Sequence, residues 1–129
     1  MMHGSRDGTP GAPTPRAGLE VSAVEVARAI AEREPLILVD CRTEEERRIA
    51  SIAGSVHVPM SAAAELVAEL LEEHGEVPAM PPVVVHCHHG VRSLRMVCEL
   101  HARGLPNARS MAGGIHQWSL VVDRSVPTY

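Results

Sequence analysis

Three adjacent valines, Val83–Val85, follow Pro81-Pro82 and run straight into His86-Cys87-His88-His89-Gly90-Val91-Arg92-Ser93. β-Branched apolar residues in an unbroken run, not alternating with polar ones, read as a strand buried on both faces. A strand buried that way belongs in a parallel sheet covered by helices on either side. A helical pattern starts near Ser93, so a strand, a short loop and a helix follow one another. Ligands of open parallel sheets bind at the carboxyl ends of the strands. Cys87 stands at that end.

The loop has the parts of a nucleophilic anion site. A cysteine at a helix N-terminus feels the positive end of the dipole, which favours the thiolate. Gly90 permits a positive φ, so that several N–H groups of residues 88–92 can turn inward as an anion nest. Arg92 adds a permanent cation with a planar fork of donors, and Ser93 stands where it can cap the helix. His88 and His89 read either as rim residues that tune the charge of the loop or as solvated filler. No metal is expected, because consecutive strand residues point to opposite faces and no pair has zinc-ligand spacing.

The rest of the chain supports an α/β fold. Residues 1–17 are rich in Gly, Pro, Ser and Thr and are expected to form a disordered lead. Strands are predicted at Leu19–Val21, Leu36–Val39, Ser55–Val58 and Ala108–Met111, in addition to the valine strand. Ser22-Ala-Val-Glu25 and Thr43-Glu-Glu-Glu46 match capping boxes, and Ser61 is read as the cap of a helix whose buried stripe is Ala63, Leu66, Val67 and Leu70. The helix after the loop is expected to bury Leu94, Val97, Cys98 and His101, with Arg95 and Glu99 an exposed pair. Gly113-Gly114 opens a last helix carrying Trp118 as a core residue, and Val121–Tyr129 is a tail.

Composition excludes several functions. All 12 basic residues are arginine, so neither a lysine Schiff base nor a P-loop lysine is available. A net charge of −4 argues against a general nucleic-acid surface. No apolar run is long enough to span a membrane, and no signal-peptide core is present. Three irregularly spaced cysteines make no disulfide framework, which fits a reducing, cytoplasmic setting. At 129 residues one domain is expected, residues 18–129.

Cys87, Gly90, Arg92 and Ser93 in this spacing resemble the active-site loop of the rhodanese-like sulfurtransferases. Asp40-Cys41-Arg42-Thr43, Ala53-Gly54-Ser55-Val56-His57-Val58-Pro59 and Met111-Ala112-Gly113-Gly114-Ile115-His116-Gln117-Trp118 extend the likeness, in the family's order, from about Leu19 to the C-terminus. The resemblance implies a central parallel sheet of about five strands with helices on both faces. It also implies a two-step transfer without a cofactor. Cys87 takes the outer sulfur of a small anionic donor such as thiosulfate and holds it as a persulfide. A thiol, cyanide or a sulfur-relay protein then removes it.

In that fold Asp40 and Arg42 lie beside Cys87 as supporting residues. Arg42 either contacts substrate or pairs with a nearby carboxylate, and Cys41 is either a resolving thiol or a plain core thiol. Two rivals stand beside this reading. A persulfide carrier or interaction module would use the same cysteine with little free turnover. A phosphatase or arsenate reductase would share the cysteine, cradle and arginine, but those enzymes place five residues between Cys and Arg where this chain has four.

Overall fold

A computed structural model describes residues 12–129. Five parallel strands form one sheet in the order β1-β5-β4-β2-β3. They are β1 (Glu20–Val21), β2 (Ile37–Asp40), β3 (Val56–His57), β4 (Val83–His86) and β5 (Ala108–Met111). The helices are α1 (Ala23–Ala31), α2 (Glu44–Ile49), α3 (Ala63–His74), α4 (Val91–Ala102) and α5 (Gly114–Val121). Of the expected disordered lead, residues 1–11 lie outside the described residues. Residues 12–17 contain no helix or strand, and the Arg16 carbonyl accepts from Leu19 and Glu20.

The valine strand is the centre of the sheet, and all four of its residues are buried. Alternation divides its side chains between two cores. Val83 and Val85 pack with Val39, Leu66, Val67, Leu70, Met96, Val97 and Leu100, from β2, α3 and α4. Val84 packs on the opposite face with Leu38, Val26, Ile115 and Trp118, from β2, α1 and α5. Helices therefore cover both faces, and Trp118 is core as expected.

Some local expectations fail, for physical reasons. Ser61 does not cap α3: a 3₁₀ turn, Met60–Ala62, follows Pro59 and leads into the helix, with no side-chain cap. Ser22 does accept from Glu25 N, but the Glu25 carboxylate turns to Arg28, so that box closes on one side only. The box at Thr43 and Glu46 is complete. On α4 the buried face is Ser93, Met96, Val97 and Leu100, one position out of phase with the expected stripe. Ser93 turns inward toward Cys87 and sets that phase, which leaves Cys98 exposed, with Leu94 and His101 only half-buried. Glu99 pairs forward with Arg103 at 2.9 Å instead of back to Arg95.

Asp40 ends β2 with no exposure, and Arg42 is equally buried. The guanidinium donates to both carboxylate oxygens, at 3.0 and 2.8 Å, and to the Ala50 carbonyl. Arg47 adds a contact to Asp40 at 3.0 Å. Of the alternatives for Arg42, the structure contains the carboxylate pairing. Burial pushes the Asp40 carboxyl up, but the Arg42 hydrogen bonds and the field of His86 outweigh it and leave the group below its ordinary range.

Breaking such a pair from one side leaves an uncompensated buried charge. Arg42→Met should therefore cost about 3–5 kcal/mol, read by urea denaturation at neutral pH. Because the folded Asp40 carboxyl is depressed, its contribution is complete above the unfolded value of about 4 and drains away as pH falls below it. A variant with unchanged stability and an unchanged acid limb contradicts this account.

Candidate active site

The β2–β4 register pairs Asp40 with His86, so the chain ends leaving the two strands start side by side. Cys41 N donates to the His86 carbonyl at 3.1 Å, which places Cys41 beside Cys87. Cys87 itself is only 1% exposed. Its Sγ accepts from Gly90 N at 3.1 Å and Ser93 N at 3.3 Å, with Ser93 Oγ also at 3.3 Å. The Ser93 hydroxyl reaches on to Ser110 at 2.7 Å. Gly90, not Ser93, is the N-cap of α4, with φ +103°. Ser93 is part of the sulfur cradle, and the helix N-terminus points at the sulfur.

These donors act against burial. Hydrogen bonding from the Cys41 thiol comes first; burial opposes it, and the Ser93 hydroxyl, Ser93 N–H and Gly90 N–H add to the effect. The outcome is a Cys87 thiol pulled down to about 4, a thiolate at neutral pH. Cys41 moves the opposite way, because donating to an anion and being buried beside it both hold its own proton. Cys41 is a buried core thiol beside the Cys87 sulfur, and its proximity favours the Cys87 anion.

Arg92 lies at the mouth but is not free. Its two terminal nitrogens grip the Glu46 carboxylate at 2.7 and 2.8 Å. The Arg92 hydrogen bonds hold Glu46 well below the usual carboxylate range. Tyr129 completes the cluster: its hydroxyl donates to Glu46 at 2.7 Å and accepts from Arg42 at 2.9 Å. Burial pushes that phenol up to about 12. Asp40, Arg42, Tyr129, Glu46 and Arg92 are thus one chain of charges and hydrogen bonds running from the core to the loop. Glu46 read in the sequence as a capping residue only, and Tyr129 as tail; neither position carries a local signal of more.

His88 and His89 do not diverge. The loop is not a strand, and their rings lie 4.0 Å apart. His88 stacks on the Tyr129 ring at 3.8 Å instead of facing water, whereas His89 is exposed. Burial first, then the neighbouring His89, lowers the His88 imidazole. Val91 is exposed at the start of α4.

The wall opposite the loop is α5. Its Ile115 and His116 amides donate to the Cys87 and His88 carbonyls at 2.9 and 3.0 Å. A Cβ on Gly114 would lie 2.4 Å from the His88 carbonyl oxygen, so only glycine admits this approach. A cleft of about 490 Å³ borders the loop, lined by His89, Gly90, Val91, Leu94 and Cys98 among others.

The family's sequence model, Rhodanese-like domain, matches residues 22–120. The chain belongs to the rhodanese-like domain family. A curated relative, "Adenylyltransferase and sulfurtransferase MOCS3-2" of Zea mays, is 34% identical over 112 residues, 84% of this chain and 23% of the relative. A "tRNA uridine(34) hydroxylase" of Xanthomonas campestris is 32% identical over 81 residues, 63% of this chain and 32% of that protein. The chain thus spans about a quarter to a third of the length of these relatives. Among solved structures, a rhodanese-like domain protein of Staphylococcus aureus superposes with TM-score 0.67 at 24% identity, covering 86% of this chain and 98% of that one. A thiosulfate sulfurtransferase of Pseudomonas aeruginosa gives 0.66 at 28% identity, over 79% of this chain and 19% of that one.

A titration of thiolate absorbance in the ultraviolet, on a Cys98→Ser background, should place the Cys87 midpoint near pH 4. Cys41→Ala should move it up by about one unit or more, because the largest single donor to the anion is gone. A midpoint near 8 in the parent protein would mean that the cradle does not hold an anion.

Proposed function

We propose that this domain is a sulfurtransferase whose nucleophile is Cys87, carrying sulfane sulfur as a persulfide. The observation that bears most weight is a buried cysteine sulfur facing two backbone N–H donors and a hydroxyl at the mouth of α4. With thiosulfate as donor, the thiolate attacks the outer sulfur. The new S–S bond forms as the old one breaks, and sulfite leaves with the bonding pair. Cyanide or an acceptor thiolate then attacks the terminal sulfur and returns Cys87 as thiolate. The cradle N–H groups hold the negative charge in each resting state, and no proton has to move. No cofactor enters either step.

Arg92 takes part as a clamped cation. Its field reaches the thiolate, while Glu46 fixes its direction. An acceptor in the form of a sulfur-relay protein fits the relatives described as adenylyltransferase and sulfurtransferase, and a reducing, cytoplasmic setting fits a free thiolate. Against a phosphatase stands the short loop, closed on one sulfur atom by Gly90 and Ser93. A carrier with little turnover would use the same thiolate, and sustained turnover with thiosulfate separates the two.

Thiosulfate treatment should add one sulfur to Cys87, about 32 Da by mass spectrometry, and cyanide should remove it. Cys87→Ser should abolish the addition. Added mass on Cys41 or Cys98, or aryl-phosphate hydrolysis faster than sulfur transfer, rejects the assignment. Loading without sustained turnover identifies the carrier.

Arg92→Ala should lower kcat/KM about a hundredfold, within the range of about 2–4 kcal/mol for a lost anion-stabilising donor. Arg92→Lys should recover only part. Glu46→Gln keeps the shape but releases the guanidinium, and should cost less than Arg92→Ala. A larger loss in His89→Ala than in Arg92→Ala would exchange the roles of the two residues.

A further inference from the structure

We propose that His88, His89 and His116 form a binding site for a divalent first-row transition-metal ion, zinc or a similar imidazole-seeking cation, at the rim of the Cys87 loop. One nitrogen from each ring lies within 4.8 Å of the others. A tetrahedral zinc with Zn–N bonds of about 2.0–2.1 Å sets its nitrogens about 3.4 Å apart. Closing the group around an ion therefore takes about 1.4 Å at the widest pair.

Two further observations favour a ligand over a simple stack of rings. His88 Nε2 and His116 Nδ1 are buried and have no hydrogen-bond partner. Buried polar atoms of that kind are rare because each forgoes its hydration, and a cation supplies the missing partner. The frame is also set. His116 N donates to the His88 carbonyl at 3.0 Å, so the two ligand-bearing backbones are joined directly. The Tyr129 ring lies flat on His88, 3.8 Å between centroids and 5° between planes, and fixes its orientation.

Three imidazoles and no carboxylate select zinc, copper or nickel over magnesium or calcium. They leave a fourth position open to water or an incoming anion. This site does not depend on the sulfur-transfer reading, because none of its ligands is the nucleophile.

The test is a zinc titration of the chelator-treated full chain by calorimetry, with cobalt(II) absorption as a probe of coordination. One equivalent should bind, with a tetrahedral cobalt spectrum and no sulfur-to-metal charge-transfer band. His116→Ala and His89→Ala should each weaken zinc at least about tenfold, whereas Cys87→Ser and Cys98→Ser should keep it. Should His116→Ala disturb folding, His89→Ala decides, since that side chain is exposed. Absence of saturable binding, an effect in neither correctly folded histidine variant, or loss of binding in Cys87→Ser overturns the proposal.

Discussion

The Cys87 end of the sheet is organised by the cost of keeping an anionic sulfur out of water. Cys87 is buried nearly completely, and a buried anion persists only where donors replace its hydration. Gly90 N, Ser93 N and the Ser93 hydroxyl supply them, and the buried Cys41 thiol lies beside the sulfur at the neighbouring strand end. Each donor has a structural condition. Gly90 must take a positive φ, and Ser93 must stand at the third position of α4. Cys41 is adjacent only because β2 and β4 are parallel neighbours paired at Asp40 and His86. The order of the strands is thus part of the environment of the Cys87 sulfur.

A second set of charges answers to the first. The guanidinium of Arg42 is wholly buried, and its donors are divided among Asp40, the Ala50 carbonyl and Tyr129. Tyr129 passes the chain to Glu46, and Glu46 passes it to Arg92. The outermost cation near the sulfur is therefore tied through one carboxylate and a phenol to the innermost ion pair. A half-exposed Arg–Glu pair on its own holds little. Anchored to a core that cannot shift without exposing Asp40, it keeps one geometry at lower cost in side-chain entropy.

Much of this was legible in the sequence, because it rests on short-range rules. Val83–Val85 announces a central strand, Gly90 a left-handed turn, and Ala63, Leu66, Val67 and Leu70 a buried stripe; each follows from periodicity or φ alone. Thr43 and Glu46 announce a capping box for the same reason. What the sequence hid are second uses of one residue. Glu46 caps α2 with one oxygen and holds Arg92 with both. Ser93 leaves the helix surface to serve the sulfur, and so shifts the buried face of α4 by one position. Tyr129 and His116 reach the loop from far along the chain, and no spacing rule connects them to it.

The glycines at 90, 113 and 114 bring the remaining elements to a common limit. A Cβ on Gly90 would lie 3.1 Å from Gly113 N, and one on Gly114 would strike the His88 carbonyl. The loop and the N-terminus of α5 therefore meet backbone to backbone, joined by the two hydrogen bonds from Ile115 and His116. That contact keeps the loop from expanding outward. Gly90 N and Ser93 N stay converged on a single atom, and four residues separate Cys87 from Arg92, one fewer than in a phosphatase loop. Loop length alone would be a weak discriminator, since a free loop of four residues can still open. Length together with a wall of glycine backbone is a stronger one, because opening this loop breaks the contacts that position it.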